Sequence, residues 1–175
     1  MRAAIPLLSL VMVTGCPENQ RNSEPRRAGS SAIQPLVVAL EQLTTDQRSV
    51  EAKEGIDRLR DGARNYYLGK HRFPASTNWT PATPCCQQPG KPRCVTPASV
   101  WDRPTWRDLG FRLDSRHYYQ FRFTGTGAGA DATYIIEARG DLDCDGVYSS
   151  FKFKGHVDHE YGPQGFGPFI ENELE

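Results

Sequence analysis

Three aspartates stand at alternate positions in the run Gly140-Asp141-Leu142-Asp143-Cys144-Asp145-Gly146. Carboxylates this close in sequence repel one another unless water or a cation lies between them. The spacing D-x-D-x-D-G is that of the first half of an EF-hand-like calcium loop, in which alternate oxygens face the ion. On that pattern Val147 offers its backbone carbonyl at the seventh place and Ser149 its hydroxyl at the ninth. Lys152 occupies the twelfth place, where such a loop carries a bidentate glutamate. The residues Asp141, Asp143, Asp145, Val147 and Ser149 are therefore a candidate Ca2+ site whose remaining ligands must come from elsewhere. They also fit a polar turn stapled by Cys144, because Asp-Gly suits tight turns.

Five cysteines carry the next chemistry. Arg2, the apolar run Ala3 to Val13 and then Val13-Thr14-Gly15-Cys16 match a bacterial lipobox. A segment of this kind is cut before the cysteine, so residues 1–15 read as a lipoprotein signal peptide. Cys16 then becomes a diacylated N-terminus, a palmitate-type anchor. Pro17 follows in place of the aspartate that retains such proteins at the inner membrane, which predicts the outer membrane. Cys85, Cys86, Cys94 and Cys144 remain, an even number in a chain predicted to reach an oxidising compartment. Two disulfides are expected. Adjacent Cys85 and Cys86 are poorly placed to bond each other, so each is expected to pair with one of Cys94 and Cys144. No C-x-x-C pair is present to favour zinc.

Trp79, Trp101 and Trp106 lie in a proline-rich stretch and are candidate ligand-binding rings. The competing reading is that they fill core over the helix and sheet. A hydrolase using the aspartate cluster and His117, His156 or His159 is a third reading. Titratable residues alone do not define a catalytic constellation. No nucleophile elbow, P-loop or dinucleotide fingerprint occurs, so no enzyme activity is expected.

The elements that must position these residues follow from periodicity. The chain has 175 residues, with 21 basic and 21 acidic side chains, so no basic field exists to hold nucleic acid. No apolar run reaches the roughly 18–20 residues of a spanning helix. Residues 16–34 are polar and read as a tether. Residues 35–175 read as one globular domain. Within it, Pro35 to Leu68 is the helical segment, as one long helix or two nearly collinear ones. Ile56, Leu59, Ala63, Tyr66 and Tyr67 form its core stripe. Gly62 is expected to let it approach a sheet. Lys70 to Arg116 is a long stapled loop. The last third alternates with period two. Tyr119, Phe121 and Phe123 share a face, as do Tyr134, Ile136 and Ala138, and then Val147, Phe151 and Phe153. His156 to Glu160 is expected to be a solvated loop. The fold class is thus α+β: a long N-terminal helix packed on an antiparallel β-meander, with a disulfide-stapled loop.

Several blocks add a resemblance. Asp61-Gly62-Ala63-Arg64-Asn65-Tyr66-Tyr67, Phe73-Pro74-Ala75-Ser76, Cys85-Cys86-Gln87-Gln88-Pro89-Gly90, Trp101-Asp102-Arg103-Pro104-Thr105-Trp106, the stretch from Gly140 to Phe151 and the closing Asn172-Glu173-Leu174-Glu175 resemble pilin-like proteins of deltaproteobacteria. The chain looks like the globular part of a type IV pilin, over roughly Thr44 to Glu175. It departs at the front. Prepilins are cut after a glycine that precedes a long apolar helix, whereas Gly15 here precedes Cys16-Pro17-Glu18 and polar residues. The resemblance implies a pilin head mounted on a lipid. The expected function is a non-enzymatic, monomeric cell-envelope protein, held to the membrane by its lipid. It would bind a pilus or secretion-system partner rather than polymerise. The alternative is a calcium-stabilised sugar- or peptide-binding module.

Overall fold

The computed structural model describes the backbone of residues 30–175, with continuous side chains from Gln47 onward and those of Pro35 and Val37 before it. The leader, Cys16 and the tether through residue 29 lie outside the described residues. Helix α1 (Ser30–Lys70) is followed by an irregular stretch that holds two short helices, α2 (Ala98–Trp101) and α3 (Pro104–Asp108). Four strands close the chain: β1 (Gln120–Thr126), β2 (Thr133–Gly140), β3 (Ser149–Asp158) and β4 (Gly162–Glu171). They form one antiparallel sheet in the order β1-β2-β3-β4.

Helix and sheet meet because each has one apolar side. On α1 the residues Ala52, Ile56, Leu59, Ala63 and Tyr67 recur every three or four positions and are buried, while Glu54, Asp57, Arg58, Asp61 and Arg64 between them are exposed. On the sheet, Phe121 and Phe123, Tyr134, Ile136 and Ala138, and Phe151 and Phe153 point at the helix and are buried. Full burial of each large side chain contributes roughly 1.5–3 kcal/mol. Gly55 allows the contact, since a β-carbon there would collide with the ring of Phe121. Gly62, expected to face the sheet, instead meets the backbone carbonyl of Leu109, just beyond α3.

The long stretch before β1 is fixed in three ways. Cys85 bonds Cys94, and Cys86 bonds Cys144, so each of the adjacent cysteines takes a different partner. The second bridge ties this stretch to the aspartate turn. The segment around Thr77 to Thr80 lies along β1: Thr80 exchanges two backbone hydrogen bonds of 2.8 Å with Phe121, and Thr77 N–H donates to the Phe123 carbonyl at 2.8 Å. The outer edge of β1 is thereby covered.

Three expectations need correction. Val147 is 41% exposed and precedes β3, so it does not share the buried face of Phe151 and Phe153. His156 sits inside β3, and only the residues after Asp158 turn. A fourth strand exists where none was expected. β4 carries glycines and prolines that usually end strands, yet it pairs with β3 from Asp158↔Gly162 to Ser150↔Glu171, with an irregularity between Lys152 and Lys154.

Candidate binding site on the outer face of the sheet

A pleated sheet sends alternate side chains to opposite faces. The face away from α1 therefore collects the residues between the core positions. Pairing aligns them in two rows across the strands. One row is Gln120, Arg139, Ser150 and Glu171; the other is Arg122, Glu137, Lys152 and Phe169. No helix among the described residues covers them. The half-buried Trp79, carried by the segment that pairs with β1, lies over this face. Its ring centroid is 4.5 Å from the Arg122 guanidinium and 4.2 Å from that of Arg139. Arg139 also lies 5.1 Å from the ring of Tyr148. Cations at such distances are held by the ring quadrupole.

Trp79, Glu137, Arg139, Tyr148, Ser150, Lys152, Phe169 and Glu171 line a groove of about 300 Å³, with Ala138 and Phe151 behind them. That is the lower end of the range for small-molecule sites. The charges in it are unequally committed. Glu137 is engaged twice, by Arg122 at 2.5 Å and by Lys152 at 3.3 Å. Arg139 donates its Nε–H to Gln120 Oε1 at 3.0 Å, and no carboxylate lies within ion-pair distance of it among the described residues. Partial burial holds its pKa below the usual arginine value, against the opposing field of Tyr148. Glu171 is exposed and likewise has no ion-pair partner among the described residues.

The aspartate turn is a second place where polar groups converge. Carboxylate oxygens of Asp141, Asp143 and Asp145 lie within 4.8 Å of one another, an arrangement able to hold a cation. The same carboxylates fold the turn. Asp141 accepts the N–H groups of Asp145 and Gly146, each at 3.1 Å, and Asp145 accepts that of Val147 at 2.7 Å. Cys144 and Gly146 adopt positive φ, of 71° and 98°, to make the reversal. Asp141 is buried; Asp143 and Asp145 are exposed. The Ser149 hydroxyl is committed elsewhere, donating to the Glu173 carbonyl at 3.0 Å and lying 3.1 Å from the Tyr119 hydroxyl. Lys152 points into the groove, so its ammonium serves Glu137 rather than the turn.

The other candidates fall to the core. Trp101 is 2% exposed and Trp106 fully buried, packed on each other and on Phe111, so neither offers a ring to a ligand. Of the three tryptophans only Trp79 lines the outer groove. His117 is buried, with Nδ1 3.1 Å from the Ser115 carbonyl and Nε2 3.3 Å from the Thr96 hydroxyl. Burial pushes its pKa down. Among the described residues, no group of three or more potential metal ligands includes a histidine.

The groove residues Glu137, Arg139, Tyr148, Ser150, Phe169 and Glu171 are missing from the candidates drawn from sequence. The signal was present for Glu137, Arg139 and Ser150, as polar members of the alternating β2 and β3, and absent for Tyr148, which precedes β3. It was absent for Phe169 and Glu171, whose strand was not recognised. No protein family, curated protein or solved structure matches this chain.

Proposed function

We propose that this chain is a non-enzymatic, lipid-anchored module of the bacterial cell envelope that holds a partner against the uncovered face of its sheet. The observation that carries the proposal is the groove on that face, where Trp79, Tyr148 and Phe169 surround Arg139, Ser150 and Glu171. A concave surface lined by rings with a few convergent polar groups is a usual mark of a binding site. The pilin-like character is part of the proposal. A helix on one face of an antiparallel sheet and a loop stapled by two disulfides agree with it. Cys16 supplies the lipid, the outer membrane is the site, and a pilus or secretion-system component is a partner of the right context. A calcium ion at Asp141, Asp143 and Asp145 would serve the turn and not a reaction.

Site-specific photocrosslinking in intact cells tests the surface. A crosslinking residue placed at Lys152 should capture envelope material, and one placed at Arg64 on the exposed side of α1 should not. Equal capture from both positions, or none from Lys152, overturns the proposal.

A further inference from the structure

We infer that the β4 rim of the sheet rests in the headgroup layer of a lipid bilayer, the one that carries the Cys16 anchor. This inference rests on the lipid-anchored reading above and adds a second contact with the membrane. Large apolar side chains are exposed together along β4. Phe166 is 53% exposed, Phe169 49% and Ile170 39%, and exposed Tyr161 stands just before the strand. The rings of Phe166 and Phe169 meet edge to face, with centroids 5.7 Å apart. Pairing sets Phe166 opposite Lys154 and Phe169 opposite Lys152, on the outer face, and Ile170 opposite Phe151, on the helix side. The apolar groups thus lie on both sides of one edge. Exposed apolar surface of this kind marks contact with a protein or a membrane.

The backbone decides between the two. An exposed strand edge ordinarily recruits another strand. Pro163 and Pro168 remove two N–H donors from β4, and its register against β3 breaks between Lys152 and Lys154. The rim therefore offers rings without a regular ladder. A bilayer interface needs no ladder, and aromatic rings are favoured at headgroup depth. The remaining N–H and C=O groups of β4 need water there, which keeps the rim out of the hydrocarbon. Lys154 suits the same depth. Its ammonium lies 5.6 Å from the Phe169 ring centroid and has no ion-pair partner among the described residues. Its stem can lie beside the ring while the charge reaches a lipid phosphate.

The charges near the rim do not favour an anionic surface. Lys152 and Lys154 stand against Asp158, Glu160 and Glu171, and Lys152 is already paired with Glu137. His156 lies 6.4 Å from the Phe166 ring, and His159 shares the turn with Asp158 and Glu160. Apolar contact, not surface charge, is what the rim offers. The length of chain allows it. A segment as long as residues 16–29 reaches at most about 50 Å. Along α1, Arg60 is about 45 Å from Ser30 at roughly 1.5 Å per residue, and its guanidinium lies 5.9 Å from the ring of Phe153 on β3. A lipid on Cys16 therefore leaves β4 within reach of the same bilayer. Tethering also raises the effective concentration of that surface, so a few side chains suffice.

Lipid photolabelling tests this. The full-length protein, purified with its lipid and with oxidised disulfides, is reconstituted into phosphatidylcholine vesicles that carry a photoactivatable group high on one acyl chain. Labelled peptides are mapped by mass spectrometry. Label should fall on residues 161–171 and not around Arg64, on the exposed side of α1. Phe166→Ser combined with Phe169→Ser should cut it about fivefold or more, as for the loss of two partly buried rings. Both side chains are exposed, so an unchanged melting temperature shows that the fold is kept. Val95→Ser, on the stapled loop, should leave the label as it is. Adding phosphatidylglycerol should not raise it. No label on residues 161–171, equal label on α1, label only with phosphatidylglycerol, or label indifferent to the double variant would each overturn the inference. In those cases a lipidated Cys16 in the same digest leaves the anchor reading standing. A Cys16 without lipid overturns both.

Discussion

At the scale of single residues, Glu51 is the most consequential half-buried carboxyl. It lies on α1 and accepts the N–H groups of Tyr118 and Tyr119, at 2.8 and 3.0 Å, where the chain enters the sheet. Burial outweighs these hydrogen bonds and the nearby Arg93, pushing its pKa from 4.5 to about 7. A carboxyl whose pKa is raised in the fold favours the protonated state. Its contribution is present below pH 4.5 and is lost as pH rises through 7, by up to about 3 kcal/mol. The domain should therefore melt at a higher temperature at pH 5 than at pH 8. Glu51→Gln, which keeps the acceptor oxygen, should flatten that difference. His117 works in the opposite sense, since a lowered histidine pKa costs stability as pH falls below 6.5. The comparison of wild type with Glu51→Gln isolates the glutamate; identical pH slopes in the two would defeat the assignment. The aspartate turn gives a second prediction. Calcium at millimolar concentration should raise the melting temperature relative to chelator, and Asp143→Ala should erase the gain. If the carboxylates serve only the turn's own N–H groups, calcium and chelator will give the same melt.

At the scale of elements, the tightest junction is α1 against the chain following α3. A β-carbon at Gly62 would collide with the Leu109 carbonyl, and backbone cannot yield as a side-chain end can. Gly62→Ala gains about 1 kcal/mol in helix propensity but forces the two segments apart, typically at 1–3 kcal/mol. The net effect should be destabilising in urea melts; a stabilised variant would show that the junction is looser than this. The same junction shows what the sequence revealed and what it did not. The stripe through Ile56, Leu59, Ala63 and Tyr67 was legible because of its 3.6 period, whereas Tyr66, counted in the same stripe, is only half-buried. The alternation in β1, β2 and β3 was legible for the same kind of reason. The function of Gly62 was not, because its partner lies 47 positions away in a stretch without periodicity. β4 was illegible because Gly165, Gly167 and Pro168 look like punctuation, and only pairing with β3 makes them strand. The aspartate turn was readable as a turn and as a candidate cation site, since both follow from spacing. The outer groove was not, because its members come from Trp79 and three strands and meet only after registers are set.

At the scale of the whole molecule, one surface of the sheet is spent on α1 and the other carries only the segment of Trp79 and Pro81 among the described residues, which leaves the question of what the edges do. β1 is covered by the segment around Thr77 to Thr80. β4 has no backbone partner on its far side among the described residues, and it exposes Phe166, Phe169 and Ile170. An open apolar edge normally recruits another strand. Pro163 and Pro168 oppose this, since neither has an N–H to donate to a ladder. The break in register between Lys152 and Lys154 further interrupts the edge. These features agree with a subunit that acts singly, and with the outer groove remaining open to a ligand. Light scattering on the chain beginning at residue 30 should report a monomer at micromolar concentration. Pro168→Thr, which restores a donor on the exposed strand, should shift it toward dimers or larger species. A wild-type domain that is already dimeric, and is made monomeric by a charge at Phe166, would mean that β4 is an assembly edge.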